Sequence, residues 1–333
     1  MPVPHPDGAR VGPRRARPRL GPDTRSGPWA GLVLVLVGGL VLAGCGTGSA
    51  HDAVDGAGPV PASTAARSVE PTAPGASGDE AKRPALPPTS GVFDYQLGGT
   101  AGAVTLDGVS TPIDVVERDA TARPQPGAYN VCYVNGFQTQ PDQRALWRAH
   151  DDLLLHADDG RLVVDPDWPD EHVLDPSTAA NRRRILAILG PVVRGCADDG
   201  FDAVELDNLD TWTRFDAIDE AGAHALARAY VDLAHDAGLA VAQKNAAEIT
   251  RVAREELGFD LAVTEECAAW DECAAYTDVY GDHVLQVEYP DALDDAGLTF
   301  DDVCSRDDRA PLTILRDRDL VAAGEDGYVY DAC

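Results

Sequence analysis

The sequence predicts a (β/α)8 barrel, and three observations carry the prediction. From Gly91 onward short apolar runs alternate with helical stretches, eight of the runs read as strands, and six or more of them end in acidic or amide side chains. That region holds roughly 240 residues, the size of one such barrel. The strand candidates are "FDYQL", "DVVER", "YNVCYV", "FDAVEL", "LAVAQ", "FDLAV", "HVLQV" and "PLTIL". Between the third and fourth, Ile185, Leu186, Leu189, Val192 and Val193 recur at helical spacing behind a cap at Ser177 or Thr178. "DEAGAHALARAYVDLAHDAG" is a second helix, closed by Gly238 and followed at once by a strand, as a parallel βαβ unit requires. "AAEITRVAREEL" supplies a third. A doubly wound open sheet is the alternative, but no Gly-rich phosphate loop follows the first strand.

Ahead of this domain, residues 1–28 are rich in Arg and Pro, and residues 29–45 form an apolar run too short and too glycine-broken for a membrane span. The run ends in "LAGC", which resembles a bacterial lipobox. Residues 1–44 are therefore expected to be a signal peptide, with Cys45 lipidated and anchoring an exported protein to the membrane; a plain secretory signal is the alternative. Residues 45–90 are Gly, Pro, Ala and Ser with almost no large apolar side chains, which predicts a disordered linker. Residues 91–333 remain as one domain, expected to be monomeric.

Export changes how the cysteines read. Apart from Cys45 there are six, and six thiols in an oxidising compartment suggest three bridges among about 15 connectivities. Cys267 and Cys273 would close a short loop. Cys304 with Cys333 would tie down a terminus, and Cys132 with Cys196 then remains. The formal charge of −29 makes nucleic acid and anionic lipid poor partners and would draw in a cationic ligand, although solubility alone also accounts for it. Neither the cysteines nor His150, His156, His172, His224, His235 and His283 have the spacing of a metal site, so no metal is expected.

A barrel carries its active site at the C-terminal ends of its strands. Read in order, those ends offer Asp94, Glu117 with Asp119, Asn135, Asp207 with Asn208, Lys244 with Asn245, Glu265 with Glu266, and Glu288 with Tyr289. Converging carboxylates suit glycoside hydrolysis, in which one acid protonates the leaving oxygen and one carboxylate meets the developing oxocarbenium ion. Asp207 is one candidate, although Asp-Asn is also a common turn. Glu265 or Glu266 is the other, because alternation turns only one of them inward.

Several of these segments, "FDYQL", "NVCYVNG", "DGFDAVELDNLDTW", "AHDAGLAVAQKN", "FDLAVTEECAAWDEC" and "HVLQVEY", resemble in order and spacing the motifs of glycoside hydrolase family 114. The resemblance covers residues 91–333. It implies a (β/α)8 barrel, endo-α-1,4-polygalactosaminidase activity without a cofactor, and a catalytic pair at Asp207 and Glu265. Asp207 would be nucleophile or charge stabiliser and Glu265 the general acid/base. Thr264 and Glu266 stand where the family has Asn and Gln beside its acid, and "FQTQPDQ" replaces an arginine-containing segment. The substrate implied is a cationic amino-sugar polysaccharide, whose ammonium groups an acidic pocket would bind. Asp94, Tyr133, Asn135, Asn208, Trp212, Lys244, Asn245, Glu288 and Tyr289 are the expected substrate-binding residues, with Lys244 also placed to hold an acid ionised. Trp168 and Trp270 are further rings that could stack on sugar. A saccharide-binding lipoprotein without catalysis is the rival reading; it predicts that Asp207 and Glu265 do not face one another.

Overall fold

The computed structural model describes residues 84–333; the expected signal peptide, Cys45 and the expected linker up to residue 83 lie outside the described residues. The chain runs through β1 (Phe93–Gln96), a hairpin of β2 (Ala103–Leu106) and β3 (Val109–Pro112), β4 (Val115–Asp119) and β5 (Tyr129–Asn135). Helices α1 (Arg144–Arg148) and α2 (Ala179–Asp199) lead to β6 (Ala203–Asp207), then α3 (Thr211–Arg214), α4 (Glu220–Asp236) and β7 (Ala240–Lys244). After α5 (Thr250–Val252) come β8 (Leu261–Glu265), α6 (Cys273–Tyr280), β9 (Val284–Glu288), α7 (Pro290–Ala296), α8 (Phe300–Cys304), β10 (Leu312–Arg316) and β11 (Tyr330–Ala332). All eight expected strands are present, as β1, β4, β5, β6, β7, β8, β9 and β10, paired in parallel in that order.

Alternation along each strand divides the core into two layers. Phe93, Tyr95, Val131, Ala203, Ala242, Val263, Leu285 and Ile314 fill the lumen. Their neighbours Cys132, Val204, Leu206, Val241 and Ala262 face outward and pack under the helices. Helix α2 begins where its sequence says it should, with Thr178 accepting from Asn181 N at 3.0 Å. Asp219 caps α4 in the same way, and Gly222 is required there because a Cβ would stand 2.8 Å from Pro176 O.

The seam between β1 and β10 is unlike the rest. Three-residue β11 runs antiparallel to β10 and takes the edge that would otherwise meet β1. The matching edge of β1 is satisfied by side chains: Tyr330 OH donates to Phe93 O at 2.6 Å, Asp94 Oδ1 accepts from Tyr95 N at 2.9 Å, and Arg316 donates to Tyr95 O. Arg316 also holds Asp94 Oδ1 at 2.7 Å. At the foot of the barrel Tyr129 OH donates to Ala85 O at 2.8 Å, and Leu86 packs against the lumen cluster.

Three disulfides form in the expected pairing. Cys132–Cys196 joins β5 to α2, Cys267–Cys273 closes the loop after β8, and Cys304–Cys333 ties the end of α8 to the residue after β11. The helix expected over "AAEITRVAREEL" is instead three short turns of different pitch, entered at Ala246 (φ 62°) and stopped at Gly258 (φ 91°). Neither the hairpin nor the excursion of residues 136–178 between β5 and α2, whose helical content is short α1 and two single turns, was among the expected elements. Among the described residues no helix is long and apolar enough to cross a membrane.

Candidate active site

Asp207 and Glu265 both lie at the C-terminal ends of inward-facing strand positions, and Lys244 lies between them. Its Nζ is 3.6 Å from Asp207 Oδ1 and 3.4 Å from Glu265 Oε2. Tyr133 OH donates to Asp207 Oδ2 at 2.6 Å, and Tyr289 OH donates to Glu265 Oε1 at 2.6 Å. Burial, reinforced by the neighbouring carboxylate in each case, pushes both phenols well above their ordinary range, so they remain donors. Asn208 N donates to Asp207 Oδ1 at 2.8 Å. Asn245 clamps Glu265 from both ends, its Nδ2 donating to Oε2 at 3.2 Å and its Oδ1 accepting from Glu265 N at 2.8 Å. Each of the three strands leaves the barrel through left-handed backbone, at Asn208, at Asn245 with Ala246, and at Glu266. Asn tolerates that conformation; Ala and Glu there store strain of about 1–3 kcal/mol each, as functional sites often do.

Beneath this pair the lumen holds a second charged layer, of which the sequence reading placed Glu117 and Lys244 at strand ends but not Glu205. Lys244 Nζ donates to Tyr95 OH at 2.9 Å and to Glu205 Oε1 at 3.2 Å. Among the described residues no donor reaches either oxygen of Glu117, nor Glu205 Oε2. A proton on Glu117 donated to Glu205 joins the two carboxyls and leaves one Glu117 oxygen without a donor among the described residues. Burial pushes Glu117 well above the carboxylate range, and the charge of Glu205 acts in the same direction. Glu205 is raised to about 7 by burial, against the pull of Lys244. For Lys244 burial opposes the ammonium, but Asp207, Glu205 and Glu265 outweigh it and hold its pKa well above the ordinary lysine value. The signal for Glu205 was readable: two residues before Asp207 on one strand, it shares that residue's face.

Not every expected site residue reaches the pocket. Asp94 sits one position off the inward Tyr95, so its carboxylate serves the β1–β10 seam. Glu288 lies between inward Val287 and Tyr289, faces outward, and accepts from Ala268 N at 2.9 Å and Gln286 Nε2 at 2.8 Å beneath the Cys267–Cys273 loop. Trp212 packs edge-on to His224, ring centroids 5.7 Å apart, and against the helical core. Tyr133, Asn135, Asn208, Lys244, Asn245 and Tyr289 do gather around the two acids. Glu266 turns away and pairs with Arg318 Nη1 at 2.6 Å, while that guanidinium lies 4.7 Å from the centre of the Tyr289 ring. Trp168 is 60% exposed and Trp270 37%.

The profile of glycoside-hydrolase family GH114 matches residues 74–333. No match was found among curated proteins. Among solved structures, Ega3 from Aspergillus fumigatus in complex with galactosamine is 18% identical, with a TM-score of 0.56 over 77% of this chain and 100% of that one. The glycoside hydrolase domain of PelA from Pseudomonas aeruginosa is 14% identical, with a TM-score of 0.47 over 71% of this chain and 97% of that one. The match over most of its length, on a barrel with acids at the ends of β6 and β8, places the chain in glycoside-hydrolase family GH114.

Proposed function

We propose that the protein is an exported hydrolase of α-linked galactosamine polysaccharide, with Asp207 as nucleophile and Glu265 as general acid/base. The observation that carries the reading is the shared contact of both carboxylates with Lys244. Asp207 attacks the anomeric carbon while protonated Glu265 gives its proton to the leaving oxygen. The Glu265 carboxylate then takes a proton from water, which displaces Asp207. Separation of Asp207 Oδ1 from Glu265 Oε2 is bounded by the sum of 3.6 and 3.4 Å. That bound favours the about 5–5.5 Å spacing of a covalent, retaining course over most of the about 6.5–9.5 Å range of inversion. A binding-only barrel would leave the two acids apart, so their common cation weighs against it.

The substrate class rests on family membership, on likeness of fold to Ega3, which binds galactosamine, and on charge. A protein of formal charge −29 steers a polycation toward itself. Three disulfides support an oxidising, extracytoplasmic location, and anchoring through a lipid on Cys45 is part of the proposal. Incubation with partially deacetylated α-1,4-linked galactosamine polymer should generate new reducing ends. Asp207→Asn and Glu265→Gln should each abolish them, and the first-formed product should keep the α configuration by NMR. Binding of the polymer by wild-type protein without cleavage would sink the hydrolase reading.

A further inference from the structure

The reaction as derived leaves Glu171 unused, although it belongs to the same hydrogen-bonded network. It stands on the excursion between β5 and α2, not on a strand of the barrel. Its backbone is fixed at both ends, N donating to Trp168 O at 2.9 Å and O accepting from Asp165 N at 3.1 Å. The residues after it are tied just as firmly, His172 O to Thr139 N at 2.9 Å and Val173 O to Leu155 N at 2.8 Å. The carboxylate is therefore presented from a stiff arm. Asn135 Nδ2 donates to Glu171 Oε2 at 3.0 Å, Asn135 Oδ1 accepts from Asn208 Nδ2 at 3.1 Å, and Asn208 leads to Asp207.

The charged groups that act most strongly on Glu171 leave it without a paired cation. Asp207 faces it from β6 and Asp165 from its own arm, both with like charge. Arg214, on α3, is the nearby cation, but its guanidinium is spent on Asp165 Oδ2 at 2.5 Å, Asn208 Oδ1 at 2.6 Å and Asp210 Oδ1 at 3.2 Å. Among the described residues no Lys, Arg or His forms an ion pair with Glu171. Burial raises its carboxyl to about 7, with the charge of Asp207 adding to the effect.

We propose that Glu171 is a specificity-determining residue that takes the ammonium group of an amino sugar bound beside Asp207, and so selects de-N-acetylated over N-acetylated units. The inference rests on the amino-sugar reading above and deepens it. An ammonium completes a carboxylate that the fold leaves unpaired; an acetamide supplies no charge and leaves it uncompensated. Formation of the pair lowers the carboxyl pKa, so a protonated Glu171 gives up its proton on binding, to solvent when the amine arrives charged and to the amine itself when it arrives neutral. Near pH 7, where the carboxyl is about half protonated, an oligomer that arrives as ammonium releases up to roughly half a proton per site.

The test uses the full mature chain carrying Glu265→Gln, which leaves Asp207 in place. Calorimetric titration with a galactosamine oligomer at pH 7, in buffers of different ionisation enthalpy, should show proton release. Addition of Glu171→Gln should abolish that release and weaken binding about tenfold or more, whereas Glu171→Asp should retain part of both. In the otherwise native enzyme, the ratio of kcat/KM on de-N-acetylated over N-acetylated polymer should fall at least tenfold with Glu171→Gln. Undiminished proton release and an unchanged ratio would overturn the assignment. Proton release that depends on Glu171 in a protein that never cleaves would support it while refuting the hydrolase; absence of any oligomer binding would overturn both.

Discussion

Replacement of Lys244 by Met tests the electrostatic design of the pocket directly. The ammonium is 3.4 Å from Glu265 and 3.6 Å from Asp207. At an effective dielectric near 20, each contact has a ceiling of about 5 kcal/mol. Asp207 and Glu265 keep 19% and 26% of their side-chain surface exposed, so water screens part of this. If roughly half survives, the loss amounts to about 2–3 kcal/mol. That loss falls on the acid that must attack as a carboxylate, so kcat/KM at pH 7 should fall by about 10–100-fold. Folding should survive, because Glu205, already at about 7, can take up a proton rather than remain a bare buried charge. The assay is the rate at which new reducing ends form, with near-UV circular dichroism as the check on fold. An unchanged kcat/KM in a folded Lys244→Met protein would refute the reasoning and reduce Lys244 to a packing residue.

Tyr289→Phe removes the phenol that stabilises Glu265 as a carboxylate. A hydrogen bond to a charged group contributes about 1.5–3 kcal/mol, so kcat/KM for reducing-end release should fall by about 10–100-fold. Loss of the Cys132–Cys196 bridge, which spans 64 residues, should cost about 4 kcal/mol on loop-entropy grounds, against about 2 kcal/mol for the six-residue Cys267–Cys273 loop; thermal melting of the paired Ser variants checks the ranking. Arg316→Ala should destabilise by about 3–5 kcal/mol, since Asp94 is then left buried without a cation. Combining it with Asp94→Ala should recover part of that loss in a denaturant titration.

The barrel was legible because each of its eight strands is an apolar run long enough to show itself. The proposed catalytic pair was legible through motif order, and alternation explains why Glu265 enters the pocket while Glu266 goes to Arg318. The same alternation, applied strictly, would have removed Asp94 and Glu288 from the pocket and added Glu205. What misled was treating every strand-end acid as part of one ring. The Asp107–Gly108 turn between β2 and β3 was a hairpin signal left unused, with both residues at positive φ. Glu171 could not be found this way. It sits in irregular backbone, where no period links sequence position to direction, and its surroundings come from β5, β6 and α3 at once. Three-residue β11 is equally silent, since its place depends on partners far away along the chain.

The side-chain closure at the seam bears on how the molecule behaves outside its folded resting state. A strand edge that is never left bare gives another chain no template to extend, so β1 and β10 are protected from intermolecular pairing without the full ladder of an ordinary barrel. The same arrangement makes this the wall where few backbone bonds must break for the cylinder to part. Amide hydrogen exchange should therefore begin along Tyr95 and β11, while β5, β6 and β7, laddered on both sides, exchange last.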